Sequence, residues 1–147
     1  MFYLGIDVAK AKIDCCLILE NSESKRRTKT FSNMPKGFEQ LQTWLNHHAA
    51  SSTQTIILME ATSIYHERLA KYLFDAGYQV CVTNPARARY FAQSISKLNK
   101  TDKADSEVLA RFAMTADLHF WQKPFIQSWL FQNTCRFIYG SQCRNSA

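Results

Sequence analysis

Four glycines in 147 residues leave no glycine-rich loop of the kind that cradles a nucleotide phosphate. No stretch approaches the roughly 20 consecutive apolar residues that a membrane span needs. The opening MFYLGIDVAK has no basic segment ahead of a long apolar run, so it is not read as a secretion signal. Cysteine is present without pattern: residues 15, 16, 81, 135 and 143 form an odd set with no Cys-x-x-Cys spacing. That excludes a thiolate zinc site and argues against a disulfide framework. The expectation is reduced thiols in a cytoplasmic protein, with Cys15, Cys16 and Cys81 in the core. His47, His48, His66 and His119 show no ligand spacing with one another or with the cysteines. Internal repeats and low-complexity segments are absent as well.

What is there is length for one core and an excess of positive charge. A chain of this size can bury roughly 70% of its unfolded surface in a single domain. The net charge of +6 favours a polyanionic partner without proving one. Its distribution says more: Arg87, Arg89, Lys97, Lys100, Lys103 and Arg111 crowd one stretch, against the acids Asp102, Asp105 and Glu107.

Periodicity supplies the elements. FYLGIDVA alternates, with Phe2, Leu4, Ile6 and Val8 on one face and Gly5 and Asp7 on the other, which is strand spacing. KIDCCLILE and SKRRTKTFS follow as second and third strands, the latter polar and suited to a sheet edge. MPKGFEQLQTWLNHH has helical spacing with Pro35 near its start. TIILME is a short apolar run of the kind buried on both faces of a sheet. IYHERLAKYLFDAG reads as an amphipathic helix ended by Gly77, with Tyr65, Leu69 and Leu73 on its buried stripe. YQVCVT is a further strand. NPARARYFAQSI starts a helix with Asn84 as its cap, and TDKADSEVLARFAMTA is the last helix. The order β-β-β-α-β-α-β-α-α predicts an α/β fold: a mixed sheet flanked by helices, in the ribonuclease H-like layout.

Four carboxylates stand out against this frame. Asp7 lies in an otherwise apolar strand, where a charge costs several kcal/mol unless it is paired or metal-bound. Glu60 ends TIILME, at the carboxyl end of a strand, where α/β folds usually hold ligands. Asp102 and Asp105 are three apart and share a helix face. A solvated helix start would account for that pair alone, with Asp102 as cap and Asp105 in the first turn. The four together, from three elements, suit hard divalent cations, which take oxygen ligands and can stabilise both oxygens of a phosphoryl transfer. Lys10 follows Asp7 closely enough to reach a phosphate. Arg87, Arg89, Lys97, Lys100 and Lys103 are the candidate nucleic-acid contacts, and Thr62 and Tyr65 the neighbours of Glu60, with Tyr65 expected to face the core.

YLGIDVAKAKID, MEATSIYHERLAKYLFDAGYQVCVTNPARARYFA and NKTDKADSEVLARFA together resemble the N-terminal DEDD domain of the "one-ten" insertion-sequence transposases, the Piv and MooV invertase group. The resemblance runs from about residue 2 to about 124. It implies a RuvC-like fold and a metal tetrad that falls on Asp7, Glu60, Asp102 and Asp105, with Mg²⁺ as cofactor and Mn²⁺ as possible substitute. It further implies DNA as substrate, a guide RNA as partner, and a homo-oligomer for the intact family member. Two features depart from the family pattern. Ser63 stands where the family usually has glycine. The family's second domain, with its nucleophilic serine, has no counterpart, so a truncated or frameshifted copy is expected.

The expected division is a ribonuclease H-like domain over 1–123 and an unassigned tail over 124–147, which has no acidic residue and no clear period. The leading expectation for function is the catalytic-type domain of a DNA transposase or site-specific recombinase. An autonomous Holliday-junction nuclease and a non-catalytic nucleic-acid-binding remnant are the alternatives. An actin-like sugar kinase also carries an aspartate after LGID. It follows with glycine and serine or threonine, where this chain has VAKAK.

Overall fold

The computed structural model describes residues 1–22, 25–98, 105–115 and 118–122, with residues 96–98 as backbone only. Its five-stranded sheet has the spatial order β3-β2-β1-β4-β5. The strands are β1 (Phe2–Val8), β2 (Lys12–Leu19), β3 (Arg26–Ser32), β4 (Thr55–Glu60) and β5 (Gln79–Thr83). β1, β2 and β3 form an antiparallel meander, and β4 and β5 add in parallel on the far side of β1. The helices are α1 (Pro35–His47), α2 (Glu67–Asp75), α3 (Pro85–Leu98) and α4 (Asp105–Thr115). The expected α/β class and element order are those observed, and the described part of the last helix begins at Asp105.

Strand alternation divides the core. Leu4, Ile6 and Val8 of β1 and Ile57 and Met59 of β4 face α1 and α2, packing on Phe38, Leu41, Leu45, Leu69 and Leu73. Tyr3 and Leu58 point the other way, against Ala88 of α3 and Leu109, Phe112 and Ala113 of α4. Cys15, Cys16 and Cys81 are buried, as expected, and burial pushes the Cys16 thiol up to about 11. Cys135, Cys143 and the expected boundary at Pro124 lie outside the described residues.

One glycine sets how close α4 comes. A Cβ on Gly5 would land on the Ser106 carbonyl oxygen and the Ala110 backbone nitrogen. The helix backbone therefore rests directly on β1, and Ala110, fully buried, completes the contact with Cys16 and Ile18 of β2. Glu107 locks the same helix from its side. It is 5% exposed and accepts hydrogen bonds from Arg26 Nη1 of β3 at 3.0 Å and Arg111 Nε at 3.1 Å. Glu107 is thus a structural acid, which its place in the charged stretch did not distinguish from Asp105.

Two details differ from the sequence reading. α2 starts at Glu67 rather than at Ile64. Ser63 takes the left-handed conformation at φ 53°, and the chain turns before it can wind into the helix. Tyr65 still packs against the core from that turn. The second detail is at β5. Its outer edge is covered by the chain after α4, where Trp121 N donates to Val80 O at 2.7 Å and Trp121 meets Phe74 edge-on.

Three outcomes follow for stability, each measured by chemical denaturation. Gly5→Ala forces α4 off β1 and lowers stability by about 2 kcal/mol, the usual cost of overpacking. Glu107→Gln keeps the shape but removes the charge between two arginines. It lowers stability by about 2 kcal/mol, less than for a fully buried pair because Arg26 can return to water. Ser63→Gly relieves a left-handed non-glycine residue and raises stability by up to roughly 1 kcal/mol, after the entropic cost of glycine is subtracted.

Candidate active site

Strand parity carries Asp7 to the α4 face of the sheet, with Gly5 and Tyr3. β1 and β4 run parallel with Ile6 opposite Met59, so Asp7 and Glu60 sit at the same end of neighbouring strands. Asp105 is the first residue of α4, and the helix rests on β1 through Gly5, which brings its N-terminus to that end too. Asp102, Lys100 and Lys103 lie outside the described residues, as does the side chain of Lys97.

Electrostatics show the three described acids to be one group. Asp7 is half-buried, and its carboxyl is held above the ordinary range by burial first, then by the charges of Asp105 and Asp14. Glu60 is raised by burial, then by Asp7 and Asp105, against a lowering from Arg89. The charge of Asp105 thus acts on both Asp7 and Glu60, and that of Asp7 on Glu60, as like charges near one another do. Among the described residues no three His, Cys, Asp or Glu side chains form a closed metal-binding cluster as they stand.

The donors fit a hard cation. All are oxygens, and Asp105 sits between two cavities that leave room for water and phosphate oxygens. One, of about 190 Å³, is bounded by Glu60, Arg89 and Asp105. The other, of about 510 Å³, is bounded by Asp7, Asp14, Thr28, Thr30 and Asp105. A further oxygen stands beside Glu60. Thr83, its register partner on β5, has a buried Oγ1 with no hydrogen-bond partner among the described residues.

Three contributors escaped the sequence reading. Asp14 is the cross-strand partner of Asp7. Its charge is fixed by the Thr30 hydroxyl, which donates at 2.5 Å, and by Lys12 at 3.1 Å, so its carboxyl is held low. The hairpin register, once drawn, would have revealed it. Thr83 is the second; its signal is a polar residue ending a buried strand, level with Glu60. The third is Asn33, whose Nδ2 donates to Ala9 O at 2.8 Å and to Tyr65 O at 3.0 Å. It ties the loop after β1 to the loop after β4, and nothing local in the sequence announces that.

Of the basic candidates, Arg89 borders the carboxylates. Arg87 is exposed on the same helix with its guanidinium 5.8 Å from the Phe112 ring centre. Lys10 is exposed in the β1–β2 turn, and Thr62 is exposed just past Glu60. His66 is half-buried beside α2, and its Nδ1 has no hydrogen-bond partner among the described residues.

The sequence profile described as transposase, of the IS110-type DEDD group, matches residues 4–139. Pilin gene-inverting proteins of Moraxella bovis and Moraxella lacunata are each 33% identical over 120 residues, 82% of this chain and 36% of theirs. The chain thus spans about a third of the length of these curated relatives. Thermus thermophilus RuvC superposes with TM-score 0.54 at 12% identity, over 82% of this chain and 100% of that one. T. thermophilus RuvC in complex with Holliday junction substrate gives 0.51 at 13%, over 82% of this chain and 99% of that one. Identities so low speak for the fold alone, and the fold is α/β and RuvC-like. DEDD transposases and RuvC-like nucleases are in general divalent-metal dependent. Matched over most of its length by that profile, with acids of the expected kinds on β1, β4 and α4, the chain belongs to the IS110-type DEDD transposase family.

Proposed function

We propose that residues 1–123 form the carboxylate-bearing domain of a DNA transposase or site-specific recombinase, with 124–147 a tail outside it. Asp7, Glu60 and Asp105, joined by Asp102, are the residues that would hold a divalent cation, Mg²⁺ with Mn²⁺ as substitute. The observation that supports this is that Asp7 and Glu60, at the same end of neighbouring strands, are both raised by burial and then by Asp105, with Asp7 adding to the raising of Glu60. A bound divalent cation supplies charge stabilisation to the scissile phosphate and the oxygens that attack and leave it.

The chain's own residues do the rest. β1 and β4 hold two carboxylates rigidly, and α4 brings the third against them. Arg89, beside Glu60, meets a phosphate oxygen entering the cavity between α3 and α4. Lys10, Arg87, Lys97, Lys100 and Lys103 follow the nucleic-acid backbone on either side, as phosphate contacts that set affinity rather than sequence. The family resemblance adds a guide RNA and a serine nucleophile from a second domain, and a homo-oligomer for the whole protein. Strand exchange is accordingly assigned to the whole protein. This chain by itself is expected to bind nucleic acid weakly and not to complete exchange. Cutting of branched DNA by this chain alone in Mg²⁺ would instead favour an autonomous nuclease.

Asp7 gives a pH-dependent test. Its carboxyl is raised in the folded state, so folding tightens its hold on a proton. Without divalent cation, stability therefore falls as pH rises from the unfolded-chain value of about 3.9 through the folded value. Asp7→Asn is expected to melt above the wild type at pH 8, with the gap closing below about pH 3.9. Mg²⁺ or Mn²⁺ is expected to raise the melting temperature of the wild type and to leave Asp7→Asn unmoved. Equal cation responses from the two proteins would remove the metal reading.

A further inference from the structure

The strand at the free edge of the sheet carries charge that the carboxylate site does not use. On β3, Arg27 pairs across to Leu17 and Lys29 to Cys15, so both leave the sheet on the α1 side, away from α4. Both are exposed, and neither has an acidic partner among the described residues. Lys29 Nζ lies 5.4 Å from the Phe31 ring centre, which holds the ammonium in place.

The last turn of α1 meets them with aromatic rings. Phe31 packs edge-on against Trp44 with ring centres 5.8 Å apart, Trp44 against His48 at 5.2 Å, and His48 against His47 at 5.1 Å. His47 is exposed, and Trp44 and His48 are half-buried. The charges and rings form one cluster, because Arg27, His47 and Lys29 all add to burial in lowering the proton affinity of His48. Among the described residues of β3 and α1, Glu39 is the single acid, in the first half of its helix.

Unneutralised cations beside ring faces are what an unpaired nucleic-acid strand requires. The cations follow its phosphates, and the rings accept its bases by stacking. A duplex hides its bases and has no use for the rings. We propose that Arg27, Lys29, Trp44, His47 and His48 form a docking surface for single-stranded nucleic acid, on the opposite face of the sheet from the carboxylates. Lys29 also borders the cavity that holds Asp7 and Asp105, but its register with Cys15 sends its side chain, like that of Arg27, to the opposite face of the sheet, so the surface does not depend on the metal reading.

The test is anisotropy of a labelled oligothymidylate titrated with the full chain in EDTA, across a range of salt. Arg27→Ala/Lys29→Ala is expected to reduce the slope of log affinity against log salt by about 1.4, two single-strand phosphate contacts. His47→Ala is expected to weaken binding about fivefold or more with the slope unchanged, the mark of lost stacking rather than lost charge. Because these side chains are exposed, both variants should keep the wild-type melting temperature and its response to Mg²⁺. Lys36→Ala, at the far end of α1, serves as the control and should leave binding unchanged. The proposal is overturned if Arg27→Glu/Lys29→Glu binds with wild-type affinity and slope. It is overturned equally if the Lys36 control loses as much as the β3 variant, or if a duplex of the same length binds more tightly than the single strand.

Discussion

The backbone of α4 lies on β1 with no side chain between them, and the rest of the arrangement depends on that contact. Gly5 permits it, Ala110 fills it, and Glu107 fixes the rotation of the helix by joining Arg26 to Arg111. A residue of any size at position 5 would lift the helix. Asp105 would then lose its relation to Asp7, although nothing at either carboxylate had changed. A glycine buried in a strand usually weakens it. Here it gives the close approach that turns two distant acids into neighbours.

The charged groups sort by function once this packing is drawn. Glu107 and Asp14 are acids with their counter-charges in place. Each is hydrogen-bonded and each contributes to holding β3 against the remainder. Asp7 and Glu60 have burial and like charge instead, and both are held above the ordinary carboxylate range. A fold tolerates such an arrangement when a ligand repays the repulsion, a common compromise between stability and function. The left-handed Ser63 just past Glu60 adds a smaller cost of the same sort.

Much of this was legible in the sequence, and the reasons are local. Alternation in FYLGIDVA fixed the face on which Asp7 would lie, and the apolar run of TIILME ended at Glu60 as a buried strand must. Asn84 caps α3 through Oδ1, which accepts from Ala86 N at 2.7 Å, as its position before Pro85 implied. Long-range relations were not legible. Asp14 became relevant only through its register with Asp7, and Asn33 only through two loops brought together from far apart. Helical spacing continues back through Tyr65 and Ile64, ahead of where α2 starts at Glu67. The backbone at Ser63 overrode it. The basic edge of β3 read simply as polar, since its aromatic neighbours come from a helix later in the chain.

On the proposed reading, Asp7, Glu60 and Asp105 share one divalent cation site. Anomalous diffraction from crystals of this chain soaked in Mn²⁺ tests it most directly. A manganese peak is expected at the carboxyl ends of β1 and β4, against the first turn of α4, coordinated by at least two of the three carboxylates. A manganese peak at other residues only, or none at saturating concentration, would contradict it.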